Sequence, residues 1–168
     1  MSITITSKTL SDYDAQLAFN TATALLKNSD LASYLIKQLE NQKLSLEINV
    51  SIDPDQANKD SSVDGFILWS LRSDTLVSRD ANEAIALLSR VPIEQKSYIA
   101  SQLNLLHLLA LACQQLNSQL NFRDADATWP WLDEDELQAC DIENAVAREL
   151  NEACLPSEQS WDEVLKRV

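Results

Sequence analysis

Hydrophobic and polar residues alternate most regularly between residues 44 and 52, and this alternation predicts a β-strand. The apolar positions are Leu44, Leu46, Ile48, Val50 and Ile52. Because successive side chains of a strand point to opposite faces of its sheet, we expect one buried and one solvated face. Residues 66–71 and 75–78 are predicted to be two further strands joined by a tight connection, and residues 3–6 a short edge strand. The expected sheet is therefore small and antiparallel, with three or four strands.

Apolar residues spaced three and four positions apart predict two helices between the edge strand and the first long strand. Ser11 and Asp14 form a capping-box pattern at the start of the first helix, which is expected to extend to about Asn28. The second helix is predicted from about Ser29 to Gln42. The positions expected to face the core are Tyr13, Leu17, Leu25 and Leu26 in the first helix and Leu31, Leu35 and Leu39 in the second.

A long helix is predicted over about residues 93–120, after a shorter helix that begins near Asp80 and Glu83. No Asp, Glu, Lys or Arg occurs between Ser97 and Phe122, and the segment from Leu103 to Cys113 is apolar on nearly every side. Such a helix is buried by its own fold or by a partner, so we expect it to be the central helix. The residues predicted to be buried are Leu46, Ile48, Val50, Leu106, Leu109 and Cys113.

Together these elements predict an α+β fold in a single domain, residues 1–168, with a small antiparallel sheet and a larger set of helices. Residues 53–64 are polar and are expected to form a surface loop that lacks the residue order of a calcium-binding EF-hand. From about residue 122 we expect an acidic helical part made of two or three short helices. Asp133 and Glu136 would cap one of them, and Asp141 would cap the next.

The glycine content excludes several nucleotide-binding and catalytic motifs, and the cysteine content indicates the redox compartment. The chain contains one glycine, which excludes the dinucleotide-binding, P-loop and nucleophile-elbow motifs because each requires at least two. Three cysteines form an odd number without a close pair, which favours a reducing compartment. Residues 1–10 have no long apolar run, so we expect no signal peptide and a cytoplasmic protein.

The negative charge is concentrated towards the end of the sequence. The net charge is −13, and 13 of the 26 acids but only four of the 13 bases follow Asn121. Residues 124–147, the acidic block, contain no Lys or Arg and eight carboxylates: Asp124, Asp126, Asp133, Glu134, Asp135, Glu136, Asp141 and Glu143. This charge opposes binding to nucleic acid or to an anionic membrane, and it favours a basic protein partner.

The acidic block is the main candidate for a binding site. Helix capping explains three of its acids and leaves five, and tryptophan is a common anchor in protein interfaces. The residues predicted to bind the partner are Asp124, Asp126, Trp129, Trp131, Glu134 and Asp135. The alternative is an ordinary solvated surface in which both tryptophans fold the loop onto the core.

Other residues are weaker candidates for chemistry. His107 is the single histidine, and nothing in the sequence places an orienting acid or a nucleophile beside it. Glu149 and Glu152 have the E-x-x-E spacing that holds Mg²⁺ in helical nucleotide pyrophosphatases, but such a site needs more carboxylates and basic groups. We therefore expect no catalytic residue, no cofactor and no metal.

The leading hypothesis is a non-catalytic acidic protein that inhibits or neutralises a basic protein partner, as immunity proteins, antitoxins and nucleic-acid mimics do. In this hypothesis the protein contacts neither nucleic acid nor a membrane directly, and it is compatible with a homodimer. One alternative is a dedicated chaperone of a secreted or assembling protein, in which apolar surface does the binding. The other is a small helical Mg²⁺-dependent nucleotide hydrolase.

Overall fold

The computed structural model describes residues 3–41, 45–52, 59–61, 66–71, 76, 82–91, 93–120 and 136–153, with side chains except those of 59–61, 113–120, 136–141 and 151–153. These residues form four strands and five α-helices. In chain order the elements are β1 (Ile3–Thr6), α1 (Asp12–Leu26), α2 (Asp30–Glu40), β2 (Leu46–Ser51), β3 (Lys59–Ser61), β4 (Phe66–Ser70), α3 (Asn82–Arg90), α4 (Lys96–Leu120) and α5 (Glu136–Ala153). A 3₁₀ turn, Ile93–Gln95, leads into α4.

The sheet is mostly parallel, so the predicted antiparallel sheet is wrong. Its strand order is β1-β2-β4-β3, with β1, β2 and β4 mutually parallel and β3 antiparallel to β4. Ile5 lies opposite Ile48, and Val50 lies opposite Trp69. The helices α1 and α2 return the chain to the same end of the sheet between β1 and β2, as a parallel connection requires. A period of two indicates a strand but not the direction of its neighbour.

Two further expectations about the strands need correction. The predicted loop 53–64 contains β3, a three-residue edge strand. Because β2 and β3 occupy the two edges of β4, the predicted hairpin between residues 66–71 and 75–78 is not the pairing found. Residues 75, 77 and 78 themselves lie outside the described residues.

The buried face of β2 is as predicted, with Leu46, Ile48 and Val50 fully buried. The opposite face is less solvated than expected. Glu47 is exposed, but Asn49 and Ser51 are buried. The segment after β1 covers this end of the strand, since the Ser7 hydroxyl donates to the Val50 carbonyl oxygen at 2.6 Å.

The first two helices begin where their capping residues predict. Ser11 accepts a hydrogen bond from the Asp14 amide at 3.1 Å, and Ser29 accepts one from the Ala32 amide at 3.1 Å. The apolar face of α2 is buried as expected. In α1 the inward face is different: Tyr13 and Leu17 are 75% and 49% exposed. The residues of α1 that enter the core are Ala15, Phe19, Ala22, Leu25 and Leu26.

The long helix α4 is central, as predicted, and contacts α1, α2, α3, α5 and the sheet. Every residue from Ile99 to Ala110 is buried, including Leu106 and Leu109. The prediction for Cys113 lies outside the described side chains. No helix among the described residues has both the length and the apolar character to cross a membrane.

The helix α5 is continuous over 18 residues, so the expected break at Asp141 is wrong. Its stripe of Ile142, Val146 and Leu150 is buried against the core. Its polar groups bond to the beginnings of two other helices. Asn144 accepts from the Glu83 amide of α3 at 2.9 Å, and Glu149 accepts from the Leu31 amide of α2 at 3.2 Å.

Candidate functional site

The six residues predicted to bind a partner are all outside the described residues: Asp124, Asp126, Trp129, Trp131, Glu134 and Asp135. One member of the acidic block is described with its side chain, and it is not at the surface. Glu143 is fully buried between α5 and α4, so it is neither a solvated acid nor a partner-binding one. The block is therefore not a uniform acidic surface.

Glu143 instead bonds to the single histidine. Its Oε2 atom lies 3.1 Å from Nδ1 of His107, which is also buried. Burial raises the pKa of the Glu143 carboxyl, while the hydrogen bond and the charge of His107 lower it in part. Glu143 Oε1 has no hydrogen-bond partner among the described residues.

The sequence analysis missed this pair because the two residues are 36 positions apart. A signal was present, since Glu143 precedes Val146, Ala147 and Leu150 by three, four and seven positions, the spacing of a buried helix face. An acid beside a histidine meets part of the requirement for nucleophilic catalysis. No nucleophile bonds to the pair among the described residues, so its geometry is that of a core contact.

Glu149, the first acid of the E-x-x-E spacing, also has a structural contact. Its Oε2 accepts hydrogen bonds from the Ser29 hydroxyl at 2.6 Å and from the Leu31 amide at 3.2 Å. These bonds complete the N-terminus of α2. Among the described residues, no three or more His, Cys, Asp or Glu side chains come together as metal ligands would. The side chain of Glu152 is outside the described part.

A pocket of about 290 Å³ opens between α1, the end of β4 and the start of α4. α1 contributes Asp14, Leu17 and Thr21, together with two alanines. β4 contributes Trp69, and the residue after it, Leu71, completes that wall. The pocket therefore lies near the carboxyl end of a parallel strand, which is where open α/β sheets most often bind ligands.

α4 contributes three residues with polar groups to the lining: Tyr98, Ser101 and Gln102. Ser101 makes two hydrogen bonds of 2.7 Å. Its hydroxyl donates to the Tyr98 carbonyl oxygen, and its carbonyl oxygen accepts from Trp69 Nε1. Gln102 is 1% exposed, yet neither its amide oxygen nor its nitrogen has a hydrogen bond of good geometry among the described residues. Buried amides without partners are rare in native proteins.

Two residues of the described lining, Asp14 and Tyr98, have ionisable side chains. Burial raises the pKa of Tyr98, and the nearby Gln102 amide lowers it in part, as a donor to the phenolic oxygen does. Asp14 is exposed. The described lining contains no Lys, Arg or His. The lining of the pocket thus combines one exposed acid with apolar side chains and a buried amide.

Sequence reasoning missed this pocket because it assigned Tyr13 and Leu17 to the core and Asp14 to capping alone. The Asp14 amide does take part in the cap, and Asp14 also lines the pocket. An available signal was that α1 has no basic residue between Asp12 and Leu26.

Comparisons of the chain with protein-family models, with curated proteins and with solved structures found no match.

Proposed function

We propose that this protein is a non-catalytic, acidic binding protein that inhibits or neutralises a basic protein partner. The observation that carries the proposal is the surface around the pocket, the α1/α4 face, defined by Tyr13, Asp14, Leu17 and Tyr98. The three apolar or aromatic side chains are 75%, 49% and 37% exposed. Leu17 and Tyr98 both line the pocket, and Tyr13 lies four positions before Leu17 on the same side of α1. Exposed apolar groups that lie together mark interaction sites.

The charge of this face supports a basic partner. Asp12 and Asp14 lie in the first turn of α1, which has no basic residue along its length. The whole chain carries a net charge of −13, so its long-range field attracts cationic proteins and repels nucleic acid. In this proposal the acidic block contributes to the same attraction, and apolar contacts at the α1/α4 face hold the partner once it arrives.

The proposal includes no catalytic group, cofactor or metal, and it assigns the protein to the cytoplasm on the basis of its cysteine usage. It also assigns a structural role to two carboxylates of α5. Glu143 and Glu149 bond within the fold, which leaves them unsuited to a hydrolase site.

The experiment is affinity capture from the native host with the full chain as bait, followed by binding measurements with the purified partner. Leu17→Ser is expected to weaken binding about tenfold or more, as loss of an interface anchor does. The matched control is Ile85→Ser on α3. Ile85 is 46% exposed, close to the 49% of Leu17, but it does not line the pocket.

A supporting result is a basic protein whose binding weakens at 1 M salt, where the Debye length is about 3 Å. It must also be lost with Leu17→Ser and retained with Ile85→Ser. A partner that is not basic, or equal effects of the two substitutions, would contradict the proposal.

A dedicated chaperone is a second candidate, favoured by the same exposure of Tyr13 and Leu17. Its client would dock mainly through apolar contacts, whose strength does not fall with salt. Binding that depends on Leu17 but persists at 1 M salt would therefore support the chaperone and count against the neutralisation of a basic partner.

A further inference from the structure

We propose that β1 pairs edge to edge with β1 of a second copy of this chain. The two strands run antiparallel and are centred on Thr4, so that the two four-stranded sheets join across a twofold axis. This inference goes beyond the proposed function, because it concerns a different surface and needs no partner of another kind. It is argued from the pattern, the charge and the exposure of β1.

The two edges of the sheet differ in how they are protected. β1 and β3 are the outer strands, and among the described residues each has a strand neighbour on one side only. An edge strand therefore presents backbone N–H and C=O groups that its own sheet does not use. β3 is three residues long and contains Lys59 and Asp60, and short length and charge both discourage pairing at an edge. β1 contains only isoleucine and threonine, so it has neither a charge nor a proline to oppose a further strand.

The low charge of this part of the chain favours a second copy over a basic partner. Lys8 is the only charged residue between Met1 and Ser11, whereas the whole chain carries a net charge of −13. Two copies therefore meet at β1 with few like charges opposite each other, although their overall fields repel. A basic partner would find no acidic side chain on β1 itself.

The sequence of β1 is complementary to itself in the antiparallel direction. A pairing centred on Thr4 places this residue opposite Thr4 of the second copy, and it places Ile3 opposite Ile5 of the second copy. Opposite residues share a face of the sheet, so the isoleucines of both copies extend the face on which β2 carries Leu46 and Ile48. Ile3 and Ile5 are only partly buried within one copy. The pairing therefore covers apolar surface that each copy leaves exposed.

Contacts within one copy place the centre of the pairing at Thr4. The Thr6 hydroxyl donates to Glu47 at 2.9 Å and accepts from the Asn49 amide at 3.2 Å. The Ser7 hydroxyl donates to a β2 carbonyl oxygen at 2.6 Å. These bonds hold the chain against β2 where β1 ends, so a register centred further along would extend past the strand. Thr4 is exposed and lies within the free part of the edge.

The first test is sedimentation velocity of the full chain at low and high salt. A short strand pair buries little surface, so we expect a weak dimer with a Kd on the order of 10–100 µM. Raising the salt from about 0.1 M to about 1 M should strengthen the dimer, since salt screens the repulsion between two acidic chains. Binding of a basic partner should change in the opposite direction. A chain that stays monomeric at about 500 µM at both salt concentrations would overturn the proposal.

Thr4→Lys should weaken the dimer about tenfold or more, because it places two like charges opposite each other on paired strands. The matched control is Ala86→Lys on α3, which packs against α4 and α5. Both positions are exposed, so neither substitution is expected to disturb the fold. Both also reduce the negative charge of the chain by one, and a general charge effect would strengthen both dimers. Equal dimer affinities of the two variants would contradict the proposal.

Thr4→Cys tests the register. Opposite residues of antiparallel strands have Cα atoms about 4.5–5.5 Å apart, within the span of a disulfide, about 4.4–6.8 Å. Oxidised glutathione should therefore produce more covalent dimer from Thr4→Cys than from the wild type, which has three cysteines of its own. Thr6→Cys is the control, because this register separates the two Thr6 residues by roughly 14 Å along the strands. Equal cross-linking at both positions would contradict the pairing.

A failure of self-pairing is distinguishable from a failure of the proposed function. Leu17→Ser should leave the dimer unchanged, since Leu17 belongs to the α1/α4 face. A basic partner that binds an entirely monomeric chain would leave the proposed function standing and remove the pairing of β1. If Thr4→Lys weakened the binding of that partner while the wild type stayed monomeric, the edge would belong to the partner and the proposal would be wrong.

Discussion

The polar side chains buried along α4 have partners on different parts of the fold. His107 bonds to Glu143, and the Ser101 carbonyl accepts from Trp69. Gln102 lies between them in sequence and is equally buried, and its amide lies close enough to the Tyr98 phenol to lower the pKa of that phenol in part. Hydrogen-bonded buried groups help to specify a unique core.

Glu143→Gln should change how stability depends on pH. Burial raises the pKa of Glu143 in the folded state above its usual 4.5, so folding favours the protonated form. That stabilisation is fully present below pH 4.5 and is lost as the pH rises through the folded-state pKa. Glutamine does not titrate. The stability of Glu143→Gln relative to the wild type should therefore increase as the pH is raised above 4.5.

The measurement is urea unfolding of both proteins at a series of pH values, because the other carboxylates titrate equally in both and cancel in the difference. A difference that stays flat or falls with rising pH would contradict the pKa direction given for Glu143.

His107→Gln tests whether the histidine has a role in binding. The substitution should leave partner binding unchanged where the variant remains folded, since His107 is buried and is not one of the residues of the α1/α4 face. Urea unfolding of this variant shows whether it remains folded.

At the scale of elements, α5 supplies side-chain hydrogen-bond acceptors to the N-termini of two other helices. Asn144 bonds to the start of α3 and Glu149 to the start of α2, and Arg148 lies 3.5 Å from Glu83 of α3. The Arg148–Glu83 pair is exposed and adds little. The bonds to the first-turn amides are more important, because those donors have no partner within their own helices.

Ser29→Ala should be more destabilising than Ser11→Ala, although both remove a serine N-cap. Ser29 is fully buried, and its hydroxyl also donates to Glu149. Ser11 is exposed, and its hydroxyl accepts from the Asp14 amide. We expect a loss of about 2 kcal/mol for Ser29→Ala and about 0.5–1 kcal/mol for Ser11→Ala. Urea unfolding of the two variants at neutral pH measures both values. Equal losses would mean that Glu149 does not support the cap.

At the scale of the whole molecule, charge and apolar surface are expected to act at different stages of binding. The net charge of −13 acts over the Debye length, about 10 Å at 0.1 M salt, and so governs encounter. The exposed side chains of the α1/α4 face act only in contact and so govern the lifetime of a complex. A partner that is both basic and apolar at its contact surface would use both.

Charge reversal at Asp126, Glu134 and Asp135 tests the part of this division that concerns the acidic block. The triple variant should slow association with a basic partner more than it speeds dissociation, and the effect should shrink at high salt. Replacing Trp129 or Trp131 should act mainly on dissociation if either is an anchor. Surface-based kinetics at low and high salt measures these rates. Unchanged binding at both would leave the block as solvated surface.

Local sequence determined the elements of this protein more firmly than their arrangement. The alternation around Leu46, Ile48 and Val50 predicted a strand, and the charge-free run from Ser97 predicted the central helix. Ser11 and Ser29 predicted where α1 and α2 begin. Each of these features depends on neighbouring residues alone, because helix caps, side-chain alternation and burial of an apolar helix are set within a few turns or a few positions.

Tertiary structure decided the direction of the strands, the inward face of α1 and the composition of the candidate site. A strand pattern is the same for parallel and antiparallel neighbours, so the parallel pairing of β1 with β2 followed only from α1 and α2, which carry the chain back to the same end of the sheet. On α1, Ala15 and Ala22 are buried, whereas Tyr13 and Leu17 are exposed. His107 and Glu143 are far apart in sequence and come together only when α5 packs against α4.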